Sequence, residues 1–119
     1  MKEVILIELG MGVDMHGQDI TKAAIRAVEN AIYHNSLPGL RNIIEKLGGS
    51  EMCVNVRLAL PCNYDELDLE SVKKVFPYGK ITVELSQGGM ITSNIHMLAD
   101  KGDISHEMYI VNAAVEVGY

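Results

Sequence analysis

Two hydrophobic periods divide the chain. Residues 3–9, EVILIEL, are almost all apolar. A short run bounded by glycine predicts a buried strand, placed centrally in a sheet. A glycine-rich loop over residues 10–17 follows. From Ile20 the period becomes helical: Ile20, Ala24, Ala27, Val28, Ala31 and Ile32 form one stripe, with Lys22, Arg26, Glu29 and Asn30 off it. Asp19 is placed to cap this helix, which is expected to stop near Asn35. Ser36 is the candidate cap of a second helix, with Pro38 in its first turn, where a missing N–H is not needed. That helix, LPGLRNIIEKLGG, is expected to end at Gly48–Gly49.

Further on, the period is two. Met52, Val54, Val56, Leu58 and Leu60 alternate with Cys53, Asn55, Arg57 and Ala59, which predicts a strand with one dry face. Asp65 or Asp68 caps a short helix, DLESVKKVF, closed by Pro77. Ile81, Val83 and Leu85 alternate with Lys80, Thr82, Glu84 and Ser86 in another strand, broken at SQGG. Residues 91–98 are a candidate strand, and MYIVNAAVEVGY is a last one. This order predicts an α/β (α+β) fold in a single domain over residues 1–119: a two-layer sandwich, its mixed four- to five-stranded sheet carrying helices on one face. The expected outer face mixes Glu8, Asn55, Arg57, Thr82, Glu84, Asn112 and Glu116 with Val4, Leu6, Ala59, Ile110 and Ala114. Half apolar, it predicts contact between copies of the chain, with a trimer the expected homo-oligomer.

Composition narrows the class. Sixteen acidic residues against ten basic give a net charge of −6, which argues against a nucleic-acid partner, since phosphate backbones select clustered Lys and Arg. With one Phe, five Tyr and no Trp, the core must be aliphatic, and the seven methionines fill gaps. VILIEL is too short to span a bilayer, and no leader pattern precedes it. A soluble, cytoplasmic protein without a membrane partner is expected. Cys53 and Cys62, roughly 30 Å apart along an extended strand, are expected as reduced thiols.

The candidate chemistry lies in LGMGVDMHGQD, residues 9–19. A dinucleotide fingerprint fails because Met15 stands where its third glycine belongs, and the lysine of a phosphate loop is missing. The position still matters. Ligands of open α/β sheets bind beyond the carboxyl ends of strands, and a helix N-terminus there favours an anion. A small polar or anionic metabolite is the expected partner. Asp14 and His16, two positions apart in an extended loop, would point the same way, as a general acid–base pair requires. Two alternatives stand: they are two ligands of a metal that needs a third, or Asp14 caps the loop and His16 satisfies a carbonyl. His34 is roughly 22 Å further along a helix and cannot join them within one subunit; His96 and His106 fall in segments of undefined position. Paired metal-site spacings are missing, so folding without metal is expected, and no cofactor is implied. Gly10, Gly12 and Gly17 would let the backbone approach a ligand. Arg57 and Glu84 either pair across strands or complete the site from a neighbouring subunit. Ser86 and Cys62 are weaker nucleophile candidates: Glu84 replaces the first glycine of a nucleophile turn, and Cys62 has no evident base.

GMGVDMHG resembles the Gly-x-Gly-x-Asp-x-His-Gly signature of a conserved-hypothetical family named from a listerial "Lin" open reading frame. The continuation QDITKAAIRAVENAIYHNSLPG and the chain length are similar to it as well. The resemblance marks Gly10, Gly12, Asp14, His16 and Gly17 and implies no activity. The residues therefore suggest a small-molecule-acting enzyme, hydrolase-like among the options, with Asp14 and His16 as its acid–base pair and its site at a subunit boundary. The alternative is a non-catalytic ligand-binding or regulatory homo-oligomer. Chorismate-mutase-like trimers, and ring-opening amidohydrolases with three such units per chain, supply the fold-level analogy.

Overall fold

A computed structural model describes residues 1–49 and 51–119. The elements run β1 (Val4–Asp14), α1 (Ile20–Ile32), α2 (Leu40–Lys46), β2 (Cys53–Leu60), α3 (Leu69–Lys73), β3 (Lys80–Gln87), β4 (Met90–Ser93) and β5 (Glu107–Gly118). They form the expected two layers, a mixed sheet with helices packed against it. Strand order is β1–β5–β2–β3. β5 is antiparallel to β1 and to β2, and β2 and β3 are parallel. β4 pairs with residues 107–110 of β5, on the side of β2 and beyond its end, because β1 occupies the other side there.

β1 departs from expectation in three ways. It runs on through Gly10 and Gly12 to Asp14, so the loop shrinks to residues 15–18. It lies at the sheet edge, paired with β5 alone. Its faces are also exchanged. Leu6, Glu8, Gly10 and Gly12 stand opposite Val117, Val115, Ala113 and Val111 on the helix side. Ile7, Leu9 and Met11 face outward instead, and Leu9 is 74% exposed. An uninterrupted apolar run carries no phase, so it cannot say which alternate residues are buried.

What fixes the phase is α1. A Cβ on Gly10 would sit 2.9 Å from Ala31 Cα, and one on Gly12 would sit 2.7 Å from the Arg26 carbonyl carbon. Both would meet the backbone of Ala23, Ala27 or Ala31 closer still. The helix therefore lies directly on the strand, alanine over glycine. Ile20, Ala24 and Val28 extend this contact to a core completed by Val56, Leu58, Val72, Val111 and Val115. Apart from Tyr109 it is aliphatic, in keeping with the composition. α1 also covers part of the open edge: Arg26 Nη1 donates to Val13 O at 2.7 Å, and Met11 N donates to Asn30 Oδ1 at 3.0 Å.

Asp19 caps α1 and Asp68 caps α3, each accepting from the backbone N–H three residues on. α1 stops at Ile32, short of Asn35, and α2 starts at Leu40, with Gly39 rather than Ser36 at its N-cap position. Its one buried residue is Ile44, so little packing defines its start. Of residues 91–98 only the first three are strand. No helix among the described residues is long and apolar enough to cross a membrane. Cys53 and Cys62 are free thiols.

Gly12→Ala is expected to destabilise the fold by about 1–3 kcal/mol or more, because backbone on both sides resists the added methyl. Gly39→Ala, with no atom within 4 Å of the new carbon, should change stability by less than about 0.5 kcal/mol. Urea denaturation of the two variants checks this; equal midpoints would show that α1 does not rest on β1 in this way.

Candidate functional site

β1 ends with Asp14 pointing to the helix side, as the even positions of the strand do. Its buried carboxylate is fully engaged there. Oδ2 accepts from Asp19 N at 2.8 Å, and Oδ1 accepts from Arg26 Nη1 at 3.3 Å. Asp14 thus ties the strand end to the first turn of α1. The expected Asp14–His16 pair does not form: strand geometry continues through residue 14 and the chain turns only afterwards.

The turn itself is sharp. Gly17 has φ +101° and Gln18, without a glycine's freedom, has φ +50°. This conformation aims three groups at one residue from the β4–β5 connection, Asp103. Its Oδ2 accepts from His16 Nδ1 at 2.6 Å and from Leu98 N at 2.8 Å. Its Oδ1 accepts from Gly17 N at 2.6 Å and Gln18 Nε2 at 3.0 Å. Asp103 is buried. The Leu98 amide above all, then the Gly17 amide, His16 and Gln18, hold its carboxyl well below the usual carboxylate range, against the opposing effect of burial. Gln18 also donates to Glu107 O at 2.8 Å and accepts from Ile104 N at 3.0 Å. The segment 98–107 is fastened to residues 16–18 by these bonds.

An ionised Asp103 requires the His16 proton on Nδ1. Nε2 is then the basic nitrogen of the neutral ring, and it lies 3.3 Å from Asn94 Nδ2. The His16 side chain keeps 20% of its surface exposed. A buried carboxylate orienting a partly exposed imidazole is an arrangement suited to moving a proton. Asn94 is placed by the same neighbourhood, its carbonyl oxygen 3.2 Å from His106 Nδ1. Among the described residues no three His, Cys, Asp or Glu gather to hold a metal.

The other candidates lie apart. Gly10 and Gly12 are covered by α1. Arg57 Nε is 3.5 Å from Glu84 Oε2, directly across β2 and β3 on the outer face, and Arg57 Nη1 is 3.7 Å from Glu116 Oε1. These half-exposed ion pairs contribute little to stability. Ser86 Oγ donates to Leu58 O at 3.5 Å. Burial pushes the Cys62 thiol up, and Glu107 and Glu66 add to this against a hydrogen bond with Tyr109, which disfavours a nucleophilic thiolate. Sequence reasoning missed Asp103, Gln18 and Asn94. The first and last lie about 80 to 90 positions from His16, and no local pattern links them to it; only Gly102 before Asp103, a turn residue with φ +84°, was a visible hint.

A family model described as conserved hypothetical protein (Lin0512_fam) matches residues 4–117. The chain is similar to the crystal structure of an FtsZ-like protein of unknown function from Nostoc punctiforme PCC 73102. The TM-score is 0.84 at 41% identity, and the match covers 97% of this chain and 93% of that one. No curated protein matches.

Because its native pKa is depressed, Asp103 contributes stability that is complete above the ordinary carboxylate pKa of about 4 and is lost as pH falls toward the native value. Asp103→Asn should be less stable than wild type at neutral pH, and the gap should narrow below about pH 4. Urea unfolding of both proteins across this range checks it; a gap independent of pH would show that the ionised carboxylate is not what holds the loop.

Proposed function

The chain belongs to the conserved hypothetical protein family Lin0512_fam, and from its loop geometry we propose that it acts on a small polar molecule with His16 Nε2 as the group that takes up and returns a proton. The observation that carries this is the 2.6 Å bond from His16 Nδ1 to Asp103. Asp103 fixes the tautomer and stabilises the imidazolium formed when Nε2 accepts a proton. Gly17 and Gln18 hold Asp103 in place, and Asp14 fixes the strand end from which the loop leaves. The Asn94 amide, now near Nε2, is the group an incoming hydroxyl or water would replace. A hydrolase-like step, in which Nε2 draws a proton from water, fits this arrangement. The free thiols of Cys53 and Cys62 are in keeping with a cytoplasmic protein.

A second reading, a ligand-binding homo-oligomer without catalysis, is favoured by the outer face. Ile7, Leu9 and Met11 of β1 and Met90 of β4 are each more than half exposed there, and the edge of β1 is only partly covered. A second and third copy would bury this strip.

Turnover of a panel of cyclic amides and small esters should be lost in His16→Ala and reduced by about 100-fold or more in Asp103→Asn, in line with general acid–base contributions, with both variants folded by circular dichroism. Activity retained in folded His16→Ala would overturn the catalytic reading. Separately, sedimentation of wild type at micromolar concentration should show an oligomer, and Leu9→Glu should shift it toward monomer. A wild-type monomer would remove the self-association reading.

A further inference from the structure

At the other end of β1 a cleft of about 440 Å³ opens on the helix side of the sheet. Its walls are apolar, with Val54, Val115 and Val117 from the sheet, Ile32 from α1, Leu40 from α2 and Phe76 from the turn before β3. Its volume lies in the range of small-molecule sites. One acidic group, Glu8, stands at its wall. The Glu8 carboxylate accepts a hydrogen bond from the Asn35 side-chain amide, a neutral donor. No cation lies within ion-pair distance of it among the described residues, although Arg26, Arg57 and Lys73 all have acidic partners.

We propose that this cleft binds a small apolar amine, its ammonium on Glu8 and its hydrocarbon or aromatic body against the sheet valines and Phe76. The charge decides the class. A half-buried carboxylate without a cation repels anionic ligands and attracts an ammonium, and the apolar walls weaken screening by water. Tyr33 also lines the cleft, an aromatic ring of the kind that attracts cations. Tyr78 lines it too, but its ring already carries a cation, the Arg41 guanidinium 5.2 Å from the centroid. Glu8 precedes Asp14 by six strand positions, about 20 Å, so this site is separate from the His16–Asp103 pair and does not depend on it.

The test uses two probes with the same phenyl ring and two-carbon linker and opposite charge, 2-phenylethylamine and 3-phenylpropanoate, titrated into the protein with side-chain methyls followed by NMR. The amine should shift the methyls of Val54, Val115 and Val117 saturably and bind at least about tenfold more tightly than the acid. Glu8→Gln, which keeps the size of the side chain, should remove that preference while uncharged 2-phenylethanol binds the two proteins equally. Equal binding of amine and acid to wild type would overturn the proposal. So would the absence of cleft shifts with either probe, or protection of the cleft methyls by self-association alone.

Discussion

The contact of α1 with β1, alanine on glycine, is the constraint on which the rest of the molecule depends. Because Gly10 and Gly12 carry no side chain, the helix comes down onto the strand until backbone nearly meets backbone. That depth decides which alternate residues of β1 face inward. It brings Arg26 and Asn30 within reach of the strand's open edge. It also sets Asp14 against the start of the helix, so that only four residues, 15–18, are left to make the turn. Residues so confined must adopt left-handed backbone at Gly17 and Gln18, and that conformation turns an amide and two side chains toward Asp103.

The parts of this fold governed by local rules were legible in the sequence. Asp19 and Asp68 cap helices because a carboxylate ahead of an amphipathic stripe satisfies N–H groups that have no helical partner. β2 shows its dry face through strict alternation, and in β3 the same alternation leaves Ile81 and Val83 half-buried and Leu85 exposed. β1 does not alternate, since its apolar residues occur on both phases, and the decision lies with the alanines of α1. The start of α2 was misread for the opposite reason: the local signal of Ser36 and Pro38 was present, but little packing enforces it. At the site, His16 and its turn were visible, whereas its partner was not. A loop carboxylate distant in sequence has no periodicity to betray it, and Asp14, nearer by two positions, looked the better partner only on the assumption of an extended loop.

His16 serves two ends at once. It is one of three donors that fasten the β4–β5 connection to the end of β1, and its side chain keeps 20% of its surface exposed. The backbone amides of Leu98 and Gly17 also bind Asp103, so the anchor does not rest on the imidazole alone. This separates it from Asp14, whose every bond is spent on holding strand to helix. The Glu8 cleft presents the reverse case, an acid with a neutral partner and an apolar wall, at the far end of the same strand.

The topology also has a consequence for biosynthesis. β5, the strand between β1 and β2, is the last of the five to leave the ribosome. Until residues 107–118 have been made, β1 has no neighbour at all, and β2 has only β3. During that interval the inner edge of β1 and the part of α1 that packs on β5 lack their cover, and the emerging chain is open to chaperones and to premature association with other nascent chains. The sheet can close only after synthesis of this segment, through contacts spanning nearly the whole chain, which makes folding slow relative to that of a helical protein of equal length.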